Sequence, residues 1–183
     1  MLGRCDLPDS SEGLLKIAQV VIHPDFSPGN DFSNDLSLVQ LENPVGFTSN
    51  VIPVCLGTLE DDPLPSNTTV AVGWGNTESG GSSSSSLLSV AVAAISLEEC
   101  ETLYEGTVII TPVMLCAYSP GKDACQGDSG GGLVRLASDG RWVVVGIVSF
   151  GKGCAEHNAP GVYTRVSSFN TWITETVGNA TCS

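Results

Sequence analysis

Eight apolar segments of strand length recur along the chain, near residues 14–21, 35–41, 68–74, 87–95, 114–118, 133–135, 142–150 and 162–165, with Gly, Pro, Asn and Ser between them. Short segments at such intervals, separated by turn chemistry, predict an all-β sandwich or barrel. The 21 glycines and 10 prolines supply the turns and leave little room for helix. One helix is expected, at the end of the chain. Ser167 or Ser168 offers a cap, Phe169, Trp172, Ile173 and Thr176 or Val177 share a face, and Gly178 is a stop. The run Ser-Gly-Gly-Ser-Ser-Ser-Ser-Ser at 79–86 is of low complexity and reads as a mobile surface loop.

With 183 residues, the chain is long enough for one good core or for one domain and part of another. Seven basic and 20 acidic residues give a net charge of −13, which is poor material for gripping a phosphate backbone, so nucleic acid is not an expected partner. The longest apolar run, 142–150, is far too short to span a membrane, and no membrane partner is expected.

Seven cysteines suggest an oxidising compartment, and the odd number leaves at least one unexplained. No Cys-x-x-Cys pair occurs and the two histidines, His23 and His157, are far apart, so no metal site is expected. The sequons at Asn67 and Asn179 agree with secretion, although such triplets also arise by chance. Residues 1–6 nevertheless lack the apolar run of an export signal, a first hint that an upstream part is missing.

The segment richest in chemistry is Lys122-Asp123-Ala124-Cys125-Gln126-Gly127-Asp128-Ser129-Gly130-Gly131. A serine is a weak nucleophile unless its surroundings activate it and stabilise the oxyanion it creates. Glycines beside Ser129 allow a sharp backbone turn that aims N–H groups at a substrate carbonyl, with Gly127 and Ser129 as the natural donors. Gly-Asp-Ser-Gly alone is equally a bland turn. The ten residues together closely resemble the active-serine segment of the chymotrypsin/trypsin family of serine proteases, whose triad mechanism is well established.

That resemblance extends over residues 23–172 and carries further expectations. Asn34-Asp35-Leu36-Ser37-Leu38-Val39-Gln40-Leu41 resembles the family segment bearing the triad aspartate, so Asp35 would orient an imidazole; taken alone, it reads as a surface residue opening a strand. Asp123, six residues before Ser129, falls where trypsin-like members carry the carboxylate of the specificity pocket, which implies selection of Arg or Lys side chains. An exposed ion pair with Lys122 is the competing reading. Ser149-Phe150-Gly151 resembles the strand that pairs with substrate backbone, and Gly161 matches a position that stays small to admit a long side chain.

The same resemblance implies disulfides Cys125–Cys154 and Cys100–Cys116, and leaves the pairing of Cys5, Cys55 and Cys182 open. Thr69 and Arg135 occupy two positions that in the family are cysteines bonded to each other; both are lost together here. Gly73-Trp74-Gly75 and the segment from Ala159 to Val166 also fit, whereas Gly132 stands where proline is usual and Phe150 where tryptophan is usual.

The family's general base, a histidine within Ala-Ala-His-Cys, has no counterpart in these 183 residues. His23, in Val-Ile-His-Pro, resembles a surface turn, and His157 reads as a loop residue. Nor is there an Ile-Val-Gly-Gly-type sequence whose freed ammonium would pair with Asp128 on activation, so that carboxylate is expected to lack a partner and its loop to relax.

The implied fold is a chymotrypsin-like double β-barrel. Residues 45–183 would form a complete second barrel with a C-terminal helix, and residues 1–44 only the last strands of the first, too few to close and inviting aggregation. The implied activity is secreted, cofactor-free cleavage of polypeptides after Arg or Lys, with protein inhibitors as further partners. As written, the chain is expected to be inactive, as the C-terminal part of a longer enzyme. A non-catalytic homologue acting as a secreted binding or inhibitory protein is the alternative.

Overall fold

The computed structural model describes residues 4–7, 14–29 and 31–178; Asn179 and Cys182 lie outside them. β1 (Ile17–Ile22) and β2 (Ser37–Leu41) pair antiparallel as a separate two-stranded sheet. Then follow β3 (Cys55–Leu56), β4 (Thr68–Gly73), β5 (Leu88–Ile95), α1 (Leu97–Tyr104), β6 (Met114–Tyr118), β7 (Gly132–Leu136), β8 (Trp142–Phe150), β9 (Gly161–Arg165) and α2 (Asn170–Val177). The order β8-β7-β4-β5-β6-β9 closes into a six-stranded barrel because β9 pairs back onto β8, and β3 joins β8 from outside, in parallel. This is the all-β, chymotrypsin-like architecture expected from the sequence, with the short C-terminal helix in place.

Alternation builds the barrel interior. Thr69 and Ala71 on β4, Val92 and Ala94 on β5, and Val143 and Val145 on β8 are buried, each pair two residues apart. Val92, Leu115, Leu133, Val145 and Tyr163 belong to one cluster filling the barrel. A second cluster lies where α1 meets β6, with Tyr104, Met114 and Val162 packed around the Cys100–Cys116 disulfide. The pairing of Val70 with Val134 puts Thr69 across from Arg135. There the Thr69 hydroxyl donates to Val92 O and the Arg135 guanidinium to Asp61 O, so each has its own polar partner.

Two local expectations need correction. α1 is a second helix that the sequence reading omitted: Ser96 accepts the Glu99 N–H, and Glu98 and Glu99 favour its positive end. The C-terminal helix is entered through a 3-10 turn at Val166–Phe169, and its N-cap makes no side-chain bond. Ser167 does not cap because its hydroxyl donates to Asp62, which also pairs with Arg165 at 3.0 Å. Gly178 does stop the helix, at φ 82°.

The serine-rich loop is exposed yet tied down. Leu7 N–H donates to Ser85 O at 2.8 Å, and Cys5 O accepts from both Leu87 N–H and the Trp74 indole. Cys5 itself is a free, exposed thiol, whereas Cys55 is disulfide-bonded. The β1–β2 pair keeps Ile17, Val20, Ile22 and Val39 at least half exposed.

Candidate active site

The loop from Cys125 to Gly131 is folded by its own backbone. Asp128 N–H donates to Cys125 O and Gly131 N–H to Asp128 O, while Gly130 N–H reaches Val148 O on β8 at 2.9 Å. Gly127 and Gly130 sit at φ 97° and 81°, in the left-handed region where a side chain would be strained. The Cys125–Cys154 disulfide ties this loop to the one after β8. Among the described residues, neither Gly127 N–H nor Ser129 N–H has an acceptor. Ser129 is exposed at a cleft of about 190 Å³ that Asp123, Ser149, Phe150, Gly151 and Gly161 also line.

Asp123 is half-buried in this cleft. Its Oδ2 accepts Ala155 N–H at 3.1 Å, and removal from water holds its carboxyl above the ordinary aspartate range. It makes no ion pair with Lys122. Gly161 is small for a visible reason: a Cβ there would lie 2.8 Å from Asp123 Oδ1. Gly151 approaches Gly161 from the other wall.

Asp35 arrives from the turn before β2 and is held by the barrel. Ser149 Oγ donates to Asp35 Oδ2 at 2.6 Å, and Thr164 Oγ1 donates to Asp35 O at 2.6 Å. Ser149 is thus the physical link between Asp35 and the cleft containing Ser129. Phe150 packs against Phe32 with the rings tilted, ring centres 5.4 Å apart.

Asp128 does not lack partners. Its Oδ1 accepts Gly75 N–H at 2.8 Å and its Oδ2 accepts Cys125 N–H at 2.9 Å. Two backbone donors take the place that the sequence reading left empty, and the loop folds around them. The glycines of Gly73-Trp74-Gly75 make room: a Cβ on Gly75 would stand 2.6 Å from the Asp128 carboxyl, and one on Gly73 would collide with it. Asp128 faces a second cavity of about 300 Å³, which Asp123 also lines.

The two histidines are elsewhere. The His23 ring packs on Phe169 and Trp172, and its Nδ1 accepts Asp25 N–H. His157 is exposed. Neither bonds to Asp35 or Ser129. The sequence reading missed Thr164, Gly75 as a donor, and Tyr163, whose buried hydroxyl lines the cleft. Gly75 and Thr164 lie inside segments already singled out; what was lacking was the cross-chain contact that gives each its task.

Chemically, the arrangement sets an exposed hydroxyl beside two uncommitted N–H groups, at the mouth of a cleft with a carboxylate and glycine walls. Comparison with known proteins gives the family. The Trypsin family model matches residues 1–173. The chain is 41% identical over 166 residues to serine proteinase stubble of Drosophila melanogaster, an alignment covering 88% of this chain and 21% of that protein. It is 41% identical over 165 residues to transmembrane protease serine 11C of Mus musculus, covering 88% of this chain and 38% of that one. The vitellin-degrading protease of Bombyx mori is 39% identical over 168 residues, covering 91% of this chain and 61% of that one. The chain therefore belongs to the trypsin-like serine protease family. It spans between about a fifth and three-fifths of the length of these relatives.

Proposed function

We propose that the chain carries the nucleophile, oxyanion donors and specificity pocket of a secreted endopeptidase that cleaves polypeptides after Arg or Lys. The observation that carries this reading is the half-buried Asp123 in the cleft that Ser129 borders, with Gly161 and Gly151 leaving space for a long side chain. A cationic substrate side chain entering the cleft reaches a carboxylate with little water around it, which favours guanidinium or ammonium over neutral groups.

With that side chain seated, Ser129 Oγ attacks the carbonyl carbon, and the oxygen that gains charge takes the N–H groups of Gly127 and Ser129. Asp35, fixed by Ser149, stabilises the positive charge of an imidazole base. Within residues 1–183 neither His23 nor His157 is placed to be that base, so on its own this polypeptide has negligible turnover. The disulfides support an extracytoplasmic location.

The test is binding of benzamidine to purified residues 1–183, alongside hydrolysis of fluorogenic peptides ending in Arg or Lys. Benzamidine should bind, Asp123→Asn should abolish binding, and hydrolysis should stay at background. Binding that survives Asp123→Asn would remove the pocket assignment, and clear hydrolysis would remove the argument about the base.

A further inference from the structure

The triplet Asn67-Thr68-Thr69 is a sequon for N-linked glycosylation, and it straddles a loop and a barrel strand. Asn67 ends the loop, while Thr68 and Thr69 open β4 and pair with Ala93 and Val92 of β5. Thr69 is 0% exposed, and its hydroxyl donates to Val92 O at 2.9 Å. The three residues of the motif therefore differ in what the folded protein leaves accessible.

The acceptor nitrogen is free. Asn67 closes the turn before β4: its N–H donates to Leu64 O at 2.9 Å, and its Oδ1 accepts Leu64 N–H at 3.0 Å. The side chain is thus held by its oxygen. Nδ2, the atom that a glycan is attached to, has no partner among the described residues and is not one of the buried unpartnered atoms, so it meets water. From there β4 runs about 20 Å to Gly73, beside the Asp128 carboxyl. A sugar on Asn67 fits the closed barrel and stands clear of the loop bearing Ser129.

The hydroxyl is not free. A transferase that reads the third residue of the sequon finds Thr69 buried and bonded once β4 has met β5. An isolated hairpin of two strands is marginal at best, so β4 and β5 are held together only by the barrel. That barrel closes through β9, which pairs with both β6 and β8. β9 emerges about 95 residues after Asn67, roughly 5–20 s later at ordinary rates of synthesis.

We propose that Asn67 is a glycosylation site, modified while the chain is being made and sealed when β4 enters the barrel. The co-reactant is a lipid-diphosphate-linked oligosaccharide. Nδ2 bonds to the anomeric carbon of its first sugar and loses a proton to solvent. The bond from that carbon to the diphosphate oxygen breaks, and the lipid diphosphate leaves with the electron pair, so nothing is oxidised or reduced. The sugar adds polar bulk beside Leu64, which is 71% exposed. The proposal rests on the secreted location given under Proposed function, and the experiment separates the two.

Residues 1–183 behind an appended export signal are translated into endoplasmic-reticulum microsomes, as wild type, Asn67→Gln, Asn179→Gln and the double variant. Endoglycosidase-sensitive gel shifts count the glycans. Asn179→Gln should keep one and the double variant none. The count does not depend on the variants folding, because unfolded chains are substrates too. Asn179→Gln that is protected from added protease yet carries no glycan would overturn the proposal. Disulfides that fail to form inside the vesicles would instead overturn the secreted location, and the proposal with it. The order of events is read on unglycosylated Asn179→Gln, either refolded with its disulfides or reduced and carboxymethylated. Each is given purified oligosaccharyltransferase and lipid-linked oligosaccharide. The carboxymethylated chain should be modified at least about tenfold faster. Equal rates would overturn the proposal, because Thr69 would then be readable from within the folded barrel.

Discussion

Removing the Asp128 carboxylate tests how the loop bearing Ser129 is held. Its two oxygens accept N–H groups at 2.8 and 2.9 Å, from Gly75 across the barrel rim and from Cys125 within the loop. A hydrogen bond to a charged acceptor contributes about 1.5–3 kcal/mol, and the lower figure suits a half-buried group. Asp128→Ala should therefore cost about 3 kcal/mol, and Asp128→Asn, which keeps one acceptor oxygen, about half of that. Urea unfolding followed by tryptophan fluorescence reads this directly: with a slope of about 2 kcal/mol per molar, the alanine variant's midpoint falls by about 1.5 M. Gly75→Ala supplies the second leg, because its Cβ would stand 2.6 Å from the same carboxyl and expel it. In an Asp128→Ala background that space is open, so the two losses should fall short of additivity by about 2 kcal/mol. A midpoint shift below about 0.3 M for Asp128→Ala, or a Gly75→Ala cost independent of background, would refute the account.

Two further outcomes follow from other contacts. Burial raises the folded-state pKa of Asp123, so its protonated form is favoured by folding. The stability it contributes is present below the unfolded value of 3.8 and lost as pH rises through the higher folded value. Asp123→Asn should therefore gain in Tm relative to wild type between pH 3.5 and 7, and a constant or shrinking difference would contradict this. Arg165→Ala should cost about 3 kcal/mol, because it leaves Asp62, already with one buried oxygen lacking a partner, without its cation. Asp62→Asn in that background should recover part of the loss in the same urea assay.

How legible these features were in the sequence depends on the range of the interaction. β6 and β8 were found at their observed limits because strand-length apolar runs are ended by turn residues on both sides. α1 was missed because an eight-residue helix shows only Leu97, Cys100, Leu103 and Tyr104 as its apolar edge, too few to outweigh the surrounding β pattern. The Ser96-x-x-Glu99 spacing was the available signal, a capping residue three positions before an acidic one. The two-residue β3 has no pattern of its own and exists because β8 offers it an edge. Ser167 looked like a cap on local grounds and is drawn away by Asp62, more than a hundred positions earlier. Asp128 failed in the same way: its sequence neighbourhood says nothing of Gly75, which lies 53 positions away.

The placement of Asp35 shows the same long-range logic at the candidate site itself. The sheet that leads into it, β1 with β2, has few buried side chains and contributes little rigidity. What fixes Asp35 comes from the barrel. Ser149 on β8 holds the carboxylate, Thr164 on β9 holds its carbonyl, and Thr111 meets Ser33 two residues earlier at 3.2 Å. His23, at the other end of the segment, is clasped by Phe169 and Trp172 beside α2. β8 and β9 also line the cleft through Ser149, Gly161 and Tyr163, so Asp35 and the cleft share one rigid support. A side chain held by two strands of a closed barrel stays put even where its own sheet is open, and that lets the orientation of Asp35 be set independently of β1 and β2.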